Sequence, residues 1–196
     1  MFSGGFDSTL VAYKALTESG TPVLLHHINI IDINGRWIPE RIACNRLTRT
    51  LAEITRPFSY TESTIDFSSM LMVGSDEDLV LMTAARLTLD LEECYKNVII
   101  LEGTNKTDLE NGPMGKRFEK RGTMEDFFLR CSWMCKTPQI QFPIINLSKK
   151  EVLIELPEVL MPDCFYCRAP NAAMGFCNCG KCVTCKQIEE IKNADY

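Results

Sequence analysis

The chain has 196 residues, a mass of 22.2 kDa, a formal net charge of −5 and a pI near 5.2, with 45% hydrophobic and 24% charged residues. This is the size and apolar content of one globular domain with a sizeable core, and it excludes disordered, collagenous and coiled-coil chains. No uncharged apolar run approaches the ~18 residues of a membrane span, and the acidic balance argues against a general nucleic-acid binder, which needs a basic face.

The amino terminus, MFSGGFDST, has neither the basic start nor the apolar stretch of a secretory signal. A cytoplasmic location is the expectation. Ser3-Gly4-Gly5-Phe6-Asp7-Ser8 stands directly before a helix over Thr9–Ser19, which Gly20 stops. Glycines allow close backbone approach to a ligand, and helix-start amides point at an anion, so the string reads as a phosphate cradle. It is neither a Walker A loop, having no GxxxxGK[ST], nor a dinucleotide GxGxxG fingerprint.

Val23–Ile31 reads as a buried strand carrying the adjacent His26 and His27, of which one at most can face a site. Asn34-Gly35 marks a turn, Pro39 belongs in the first turn of a helix to Ile54, and Phe58–Phe67 forms another strand. Ser75-Asp76-Glu77-Asp78 caps a helix running to Tyr95, and Val98–Leu101 is a short strand. Gly103-Thr104-Asn105-Lys106-Thr107-Asp108 follows as a polar loop, and Gly115–Gly122 is a solvated basic one. Thr123–Cys135 is expected to be helical and Ile140–Ile145 extended; Ser148-Lys149-Lys150-Glu151 opens a last helix as a capping box that Pro157 ends. Helices alternating with strands give an α/β fold with a largely parallel sheet.

The ten cysteines divide by position. Cys44, Cys94, Cys131 and Cys135 are scattered in apolar surroundings and read as packing residues. Cys164, Cys167, Cys177, Cys179, Cys182 and Cys185 crowd into one carboxy-terminal stretch. CxxC hooks suit a tetrahedral ion bound at ~2.3 Å, and four cysteines with no open position make structural zinc. Two ligand sets remain open: a ribbon of Cys164/Cys167 with Cys182/Cys185, or a knuckle of Cys179, Cys182 and Cys185 plus one upstream cysteine.

The string SGGFDST resembles the SGGxDS signature of the PP-loop ATP pyrophosphatases, the adenine-nucleotide alpha-hydrolase-like family. The resemblance implies a Rossmann-like parallel sheet with helices on both faces over residues 1–160, and a zinc-binding cysteine-rich tail over 161–196. By it, Ser3, Gly4, Gly5, Ser8 and Thr9, with Phe6 in the same loop, would hold the phosphates of ATP. Asp7 would position the magnesium–pyrophosphate group, Asp7 and Ser8 together being the catalytic pair. The backbone near Ile30 would meet the adenine, and Gly103 would complete the nucleotide site. The family places a full strand before the loop, where this sequence has Met1 and Phe2.

Within the family, CGKCVTC is similar to the CGxCxxC of the 7-cyano-7-deazaguanine synthases. That resemblance implies zinc on Cys179, Cys182, Cys185 and one upstream cysteine, Cys167 in preference to Cys164. It also implies an ATP- and magnesium-dependent ligase that adenylates 7-carboxy-7-deazaguanine and joins it to ammonia, giving 7-cyano-7-deazaguanine in queuosine-type biosynthesis. Asp108 would bind the guanine-like amino group. Gly74-Ser75-Asp76-Glu77 stands where those synthases usually carry arginine and asparagine. Two other functions are compatible with the loop: adenylation of a tRNA base or protein carboxylate, and a nucleotide- and zinc-binding interaction module without turnover. The expected partners are a small deazapurine and ammonia, with no membrane and with a homodimer, the state common in the family.

Overall fold

The computed structural model describes residues 1–32, 35–70, 76–111, 139–170 and 178–194. The expected helix Thr123–Cys135, the basic loop Gly115–Gly122, Ser75, Cys131, Cys135 and Cys177 lie outside the described residues, as do the side chains of Asp76 and Glu77. The chain divides into two units, one of residues 2–74 with 150–196, the other of Met1 with 75–149.

The first unit opens with helix α1 (Phe6–Glu18), strand β1 (Leu24–Ile31), helix α2 (Trp37–Ile54) and strand β2 (Ser59–Asp66). β1 and β2 pair in parallel, with Leu24 opposite Ser59 and Ile31 opposite Asp66. A parallel pair requires a crossover, and α2 supplies it. Its buried residues Pro39, Ala43, Cys44, Leu47 and Leu51 recur at helical spacing and pack toward β1. Leu47 and Leu51 are wholly buried, as are Leu10 and Leu16 of α1 within 2%, and truncating any of these to alanine costs about 2–5 kcal/mol. α1 ends without a basic residue in its last turn. Arg56 serves instead, donating to the carbonyls of Leu16 at 3.1 Å, Ala15 at 3.3 Å and Thr21.

The two histidines face opposite sides of β1, as strand alternation demands. His26 bonds Thr61 at 2.8 Å and Ser63 at 3.0 Å through its two ring nitrogens, and His27 Nδ1 lies 3.0 Å from the Phe2 carbonyl. Burial holds both imidazoles below the usual 6.5. An unfolded chain therefore takes up these protons first, so the stability present above pH 6.5 is lost progressively as pH falls from that value toward the lower folded ones. The melting temperature is expected to drop by a few degrees between pH 7.5 and pH 5.5; a constant value across a calorimetric pH series contradicts the buried neutral pair.

This unit closes with helix α5 (Lys149–Glu155, its first residue belonging to the other unit), a 3-10 turn at Glu158–Asp163, and helix α6 (Val183–Asn193). Lys14 pairs with Glu155 at 2.8 Å, and Thr50 on α2 donates to Asp163 at 3.3 Å. α6 was not foreseen in the cysteine-rich tail; Cys185 and Ile188, three residues apart, form its buried face.

The second unit contains helix α3 (Asp76–Glu92), strand β3 (Ile99–Leu101), helix α4 (Lys106–Asn111) and strand β4 (Gln139–Gln141). β3 and β4 also pair in parallel, with Ile100 opposite Ile140. The strand expected over Ile140–Ile145 stops early because the chain turns at 143–146, with Ile145 N–H bonding the Phe142 carbonyl at 3.2 Å. Pro143 begins that turn, where its missing N–H costs no ladder bond.

The architecture is thus mixed α/β with parallel pairing, and among the described residues the strands join two by two rather than in one continuous sheet. Among these residues no helix is long and apolar enough to cross a membrane.

Candidate functional site

The loop before α1 is shaped by its glycines. Gly4 has φ +73°, a conformation that side-chain-bearing residues rarely adopt, and it is buried against α2. A Cβ there would come within 3.1 Å of both Ala43 Cβ and Cys44 Sγ. Gly5 occupies the N-cap position with no side-chain cap, leaving the helix start to the loop itself. Ser3 and Ser8 close the turn: their hydroxyls lie 3.0 Å apart, Ser3 N–H donates to Ser8 Oγ at 3.2 Å, and Ser8 Oγ donates to the Gly5 carbonyl at 3.2 Å.

Two sides of the loop result. Ser3 is exposed, and Gly5, Asp7 and Ser8 are half-buried around the helix start. Phe6 and Thr9 turn inward, Phe6 3% exposed and Thr9 wholly buried, with Thr9 Oγ1 3.7 Å from Cys164 Sγ. The open side thus carries hydroxyls and the α1 amide terminus, the donor set an anion requires. Ile30 lies near the carboxyl end of β1 in this same unit, half-buried.

Gly103 and Asp108 belong to the other unit. Gly103 follows β3, and Asp108 lies in the first turn of α4 rather than in a loop. Asn105 Oδ1 accepts the Asp108 N–H at 3.0 Å, so Asn105 caps the short helix. The Asn105 amide in turn lies 3.5 Å from Asp108 Oδ2, and this reciprocity gives Asp108 a structural use. Asp76 begins α3.

In the tail, Cys167, Cys179, Cys182 and Cys185 bring their sulfurs within 4.8 Å of one another, a set able to hold a metal ion. Gly180, at φ +66°, makes the tight turn between Cys179 and Cys182. Backbone donors point at the sulfurs: Cys179 N–H at Cys167 Sγ (3.3 Å), and Lys181 and Cys182 N–H at Cys179 Sγ (3.4 and 3.3 Å). Cys182 is the N-cap of α6 and Cys185 lies in its first turn, where the dipole favours thiolate.

The N–H of Lys181, followed by that of Cys182, lowers the Cys179 thiol to about 6, whereas burial pushes Cys185 up to about 12 and raises Cys167. Four thiolates bound at ~2.3 Å on one tetrahedral ion stand ~3.8 Å apart, close to the 4.0 Å between Cys179 and Cys185 sulfurs. An iron–sulfur cube would set its own body between the thiolates and spread them further. The donor set therefore fits a single ion.

The remaining described cysteines stand elsewhere. Cys164 is buried against Thr9 and the Leu160 carbonyl. Cys44 is wholly buried beneath Gly4, its sulfur 3.4 Å from His27 Nδ1, and burial pushes its thiol well above the ordinary range. Cys94, expected as a packing residue, is exposed in the turn after α3 because the helix ends at Glu92. Phe165 and Tyr166 were not anticipated as part of the site. Phe165 N–H donates to the Gly4 carbonyl at 2.9 Å, and the Tyr166 ring stacks on Phe6 with centroids 4.9 Å apart.

No family model matches the sequence, and no curated protein does. Among solved structures, the fold is similar to that of the U34-tRNA thiolase NcsA from Methanococcus maripaludis, solved with its [4Fe-4S] cluster. The TM-score is 0.51 at 16% sequence identity, over 98% of this chain. The chain spans only 63% of the length of that structure. At this identity the similarity establishes a shared fold and nothing finer.

Proposed function

We propose that the chain is an ATP-dependent adenylating enzyme of the PP-loop kind, whose acceptor is the carboxylate of a 7-deazaguanine and whose second substrate is ammonia. The observation that carries this reading is the open side of the Ser3–Ser8 loop, where two hydroxyls and the amide terminus of α1 converge. An acceptor carboxylate oxygen attacks the α-phosphorus of ATP, the bond to the β-phosphate oxygen breaks, and pyrophosphate leaves with the electron pair. Loop donors fixed before the reaction stabilise that developing charge without reorganising. Magnesium, when bound, supplies further charge neutralisation on the leaving group, and Asp7 is its proposed positioning residue. Ammonia then displaces AMP to give the amide; a second adenylation, on the amide oxygen, followed by loss of AMP gives the nitrile.

The deazaguanine acceptor is the finer part of the reading and rests on CGKCVTC at Cys179–Cys185. Zinc is the proposed resident ion, held by Cys167, Cys179, Cys182 and Cys185 as a structural group. Burial of Cys44 and Cys164 beside the loop supports adenylation without thiol chemistry, because a sulfur-transferring cysteine needs exposure and thiolate character. The fold shared with a tRNA thiolase supports a second reading, adenylation of a tRNA base.

Mass spectrometry of products separates the two. Incubation with ATP, magnesium, ammonium and 7-carboxy-7-deazaguanine is expected to yield AMP, pyrophosphate and then the amide or nitrile. Pyrophosphate release only when tRNA replaces the deazapurine would transfer the assignment to the second reading.

A further inference from the structure

The four residues from Cys164 to Cys167 touch both the loop and the metal-binding set. Cys164 Sγ lies 3.7 Å from Thr9 Oγ1; Phe165 N–H holds the Gly4 carbonyl at 2.9 Å; the Tyr166 ring stacks on Phe6 at 4.9 Å and 24°; and Cys167 is a member of the four-sulfur cluster. Three consecutive residues thus grip the inward side of the loop, and the fourth belongs to the sulfur set able to hold an ion. Beyond Cys167 the next described ligand is Cys179, twelve residues on, whose N–H donates to Cys167 Sγ at 3.3 Å.

We propose that Cys164–Cys167 is a metal-dependent latch: an ion on the four cysteines anchors Cys167, and this anchoring holds the loop from beneath in its ligand-ready shape. The nucleotide part of this inference rests on the function proposed above; the mechanical part does not. Without the ion, Cys167 loses its anchor and the segment regains conformational freedom that the Phe165 bond and the Tyr166 stack must then overcome alone. One neutral hydrogen bond and one ring pair hold such a segment only weakly. Ion and nucleotide then favour each other's binding by the same factor, since coupling between two sites is reciprocal. Tyr166 is in this scheme a positioning residue, acting on phosphates only through Phe6 and the loop.

Hydrogen–deuterium exchange of the full chain, zinc-loaded and after chelation, tests the latch without any nucleotide. The amides of residues 3–10 are expected to exchange at least about tenfold faster after chelation, over and above any rise in β1, which reports the lower stability of the unit as a whole. Tyr166→Ala keeps all four thiols and should retain one zinc, yet its loop should exchange fast even when loaded; Tyr166→Phe should restore wild-type behaviour. Equal loop exchange with and without zinc, or slow exchange in loaded Tyr166→Ala, would overturn the latch. So would an equal rise in β1, which signifies unfolding of the whole unit.

Calorimetry with ATP–magnesium adds the second arm: affinity should fall about tenfold on chelation in wild type and change little in Tyr166→Ala. A zinc-loaded chain that binds no ATP defeats the nucleotide reading and the reciprocal coupling with it, while the exchange result still decides the latch.

Discussion

Replacing Cys182 by serine is expected to abolish stoichiometric zinc binding and to lower the melting temperature by roughly 10 °C. The magnitude follows from what the four sulfurs tie together. Cys167 ends the segment lying on the loop, and Cys185 and Ile188 form the buried face of α6. Apparent zinc affinities of structural four-ligand sites amount to about 10–16 kcal/mol, so losing even a third of that to incomplete coordination exceeds most single-residue effects. Serine isolates the metal contribution, because position 182 is the N-cap of α6 and serine is among the preferred residues there. Helix capping is thus preserved while the ligand is lost. Elemental analysis together with calorimetric melting checks the expectation; a zinc-free variant that melts with wild type would show that the ion contributes nothing to the fold.

The second large effect concerns Gly4. Gly4→Ala is expected to weaken ATP–magnesium binding by about 100-fold or more and to cost about 1–3 kcal/mol of stability from backbone strain. The positive φ alone disfavours alanine, and its methyl group would meet Ala43 Cβ and Cys44 Sγ at 3.1 Å and Cys44 N at 3.2 Å. Relief requires moving either α2 or the loop, and the loop is the lighter element. Gly20→Ala is the matched control, since a Cβ at Gly20 meets nothing within 4 Å. Isothermal titration of both variants with ATP–magnesium tests the argument, and equal affinities would remove the loop from the nucleotide site.

The features legible in the sequence were those in which residue identity is dictated by local backbone chemistry. Gly4 and Gly5 marked a close-approach loop, and the spacing of Cys179, Cys182 and Cys185 marked a turn that gathers sulfurs into a set able to hold a metal ion. α1, β1, α2 and β2 were legible within two or three residues at either end because their apolar periods are clear. α4 was not, because Lys106–Asn111 is short and polar and is held by the exchange between Asn105 and Asp108 rather than by an apolar stripe. α6 was not legible either, because its buried face is the single interval between Cys185 and Ile188 in a polar helix that starts inside the cysteine motif.

The latch residues show a different limit. Phe165 and Tyr166 read as spacers between Cys164 and Cys167, and their role depends on a contact with residues some 160 positions earlier that no local pattern encodes. The same limit governs Thr9. In the sequence it is one more hydroxyl beside Ser8, yet in the fold it is wholly buried against Cys164, leaving the open side to the hydroxyls of exposed Ser3 and half-buried Ser8.

The central claim is that the Ser3–Ser8 loop handles the pyrophosphate of ATP on a chain whose tail holds one structural ion. Its most direct test is positional isotope exchange with zinc-loaded protein, magnesium, 7-carboxy-7-deazaguanine and ATP carrying 18O in the bridge between the α- and β-phosphorus atoms, ammonium being withheld. Reversible adenylation is expected to move the label from the bridge to a non-bridging β-oxygen, and the Gly4→Ala variant should not do so. Label that stays in place, with ATP consumed at the γ-phosphate or not at all, would contradict the account.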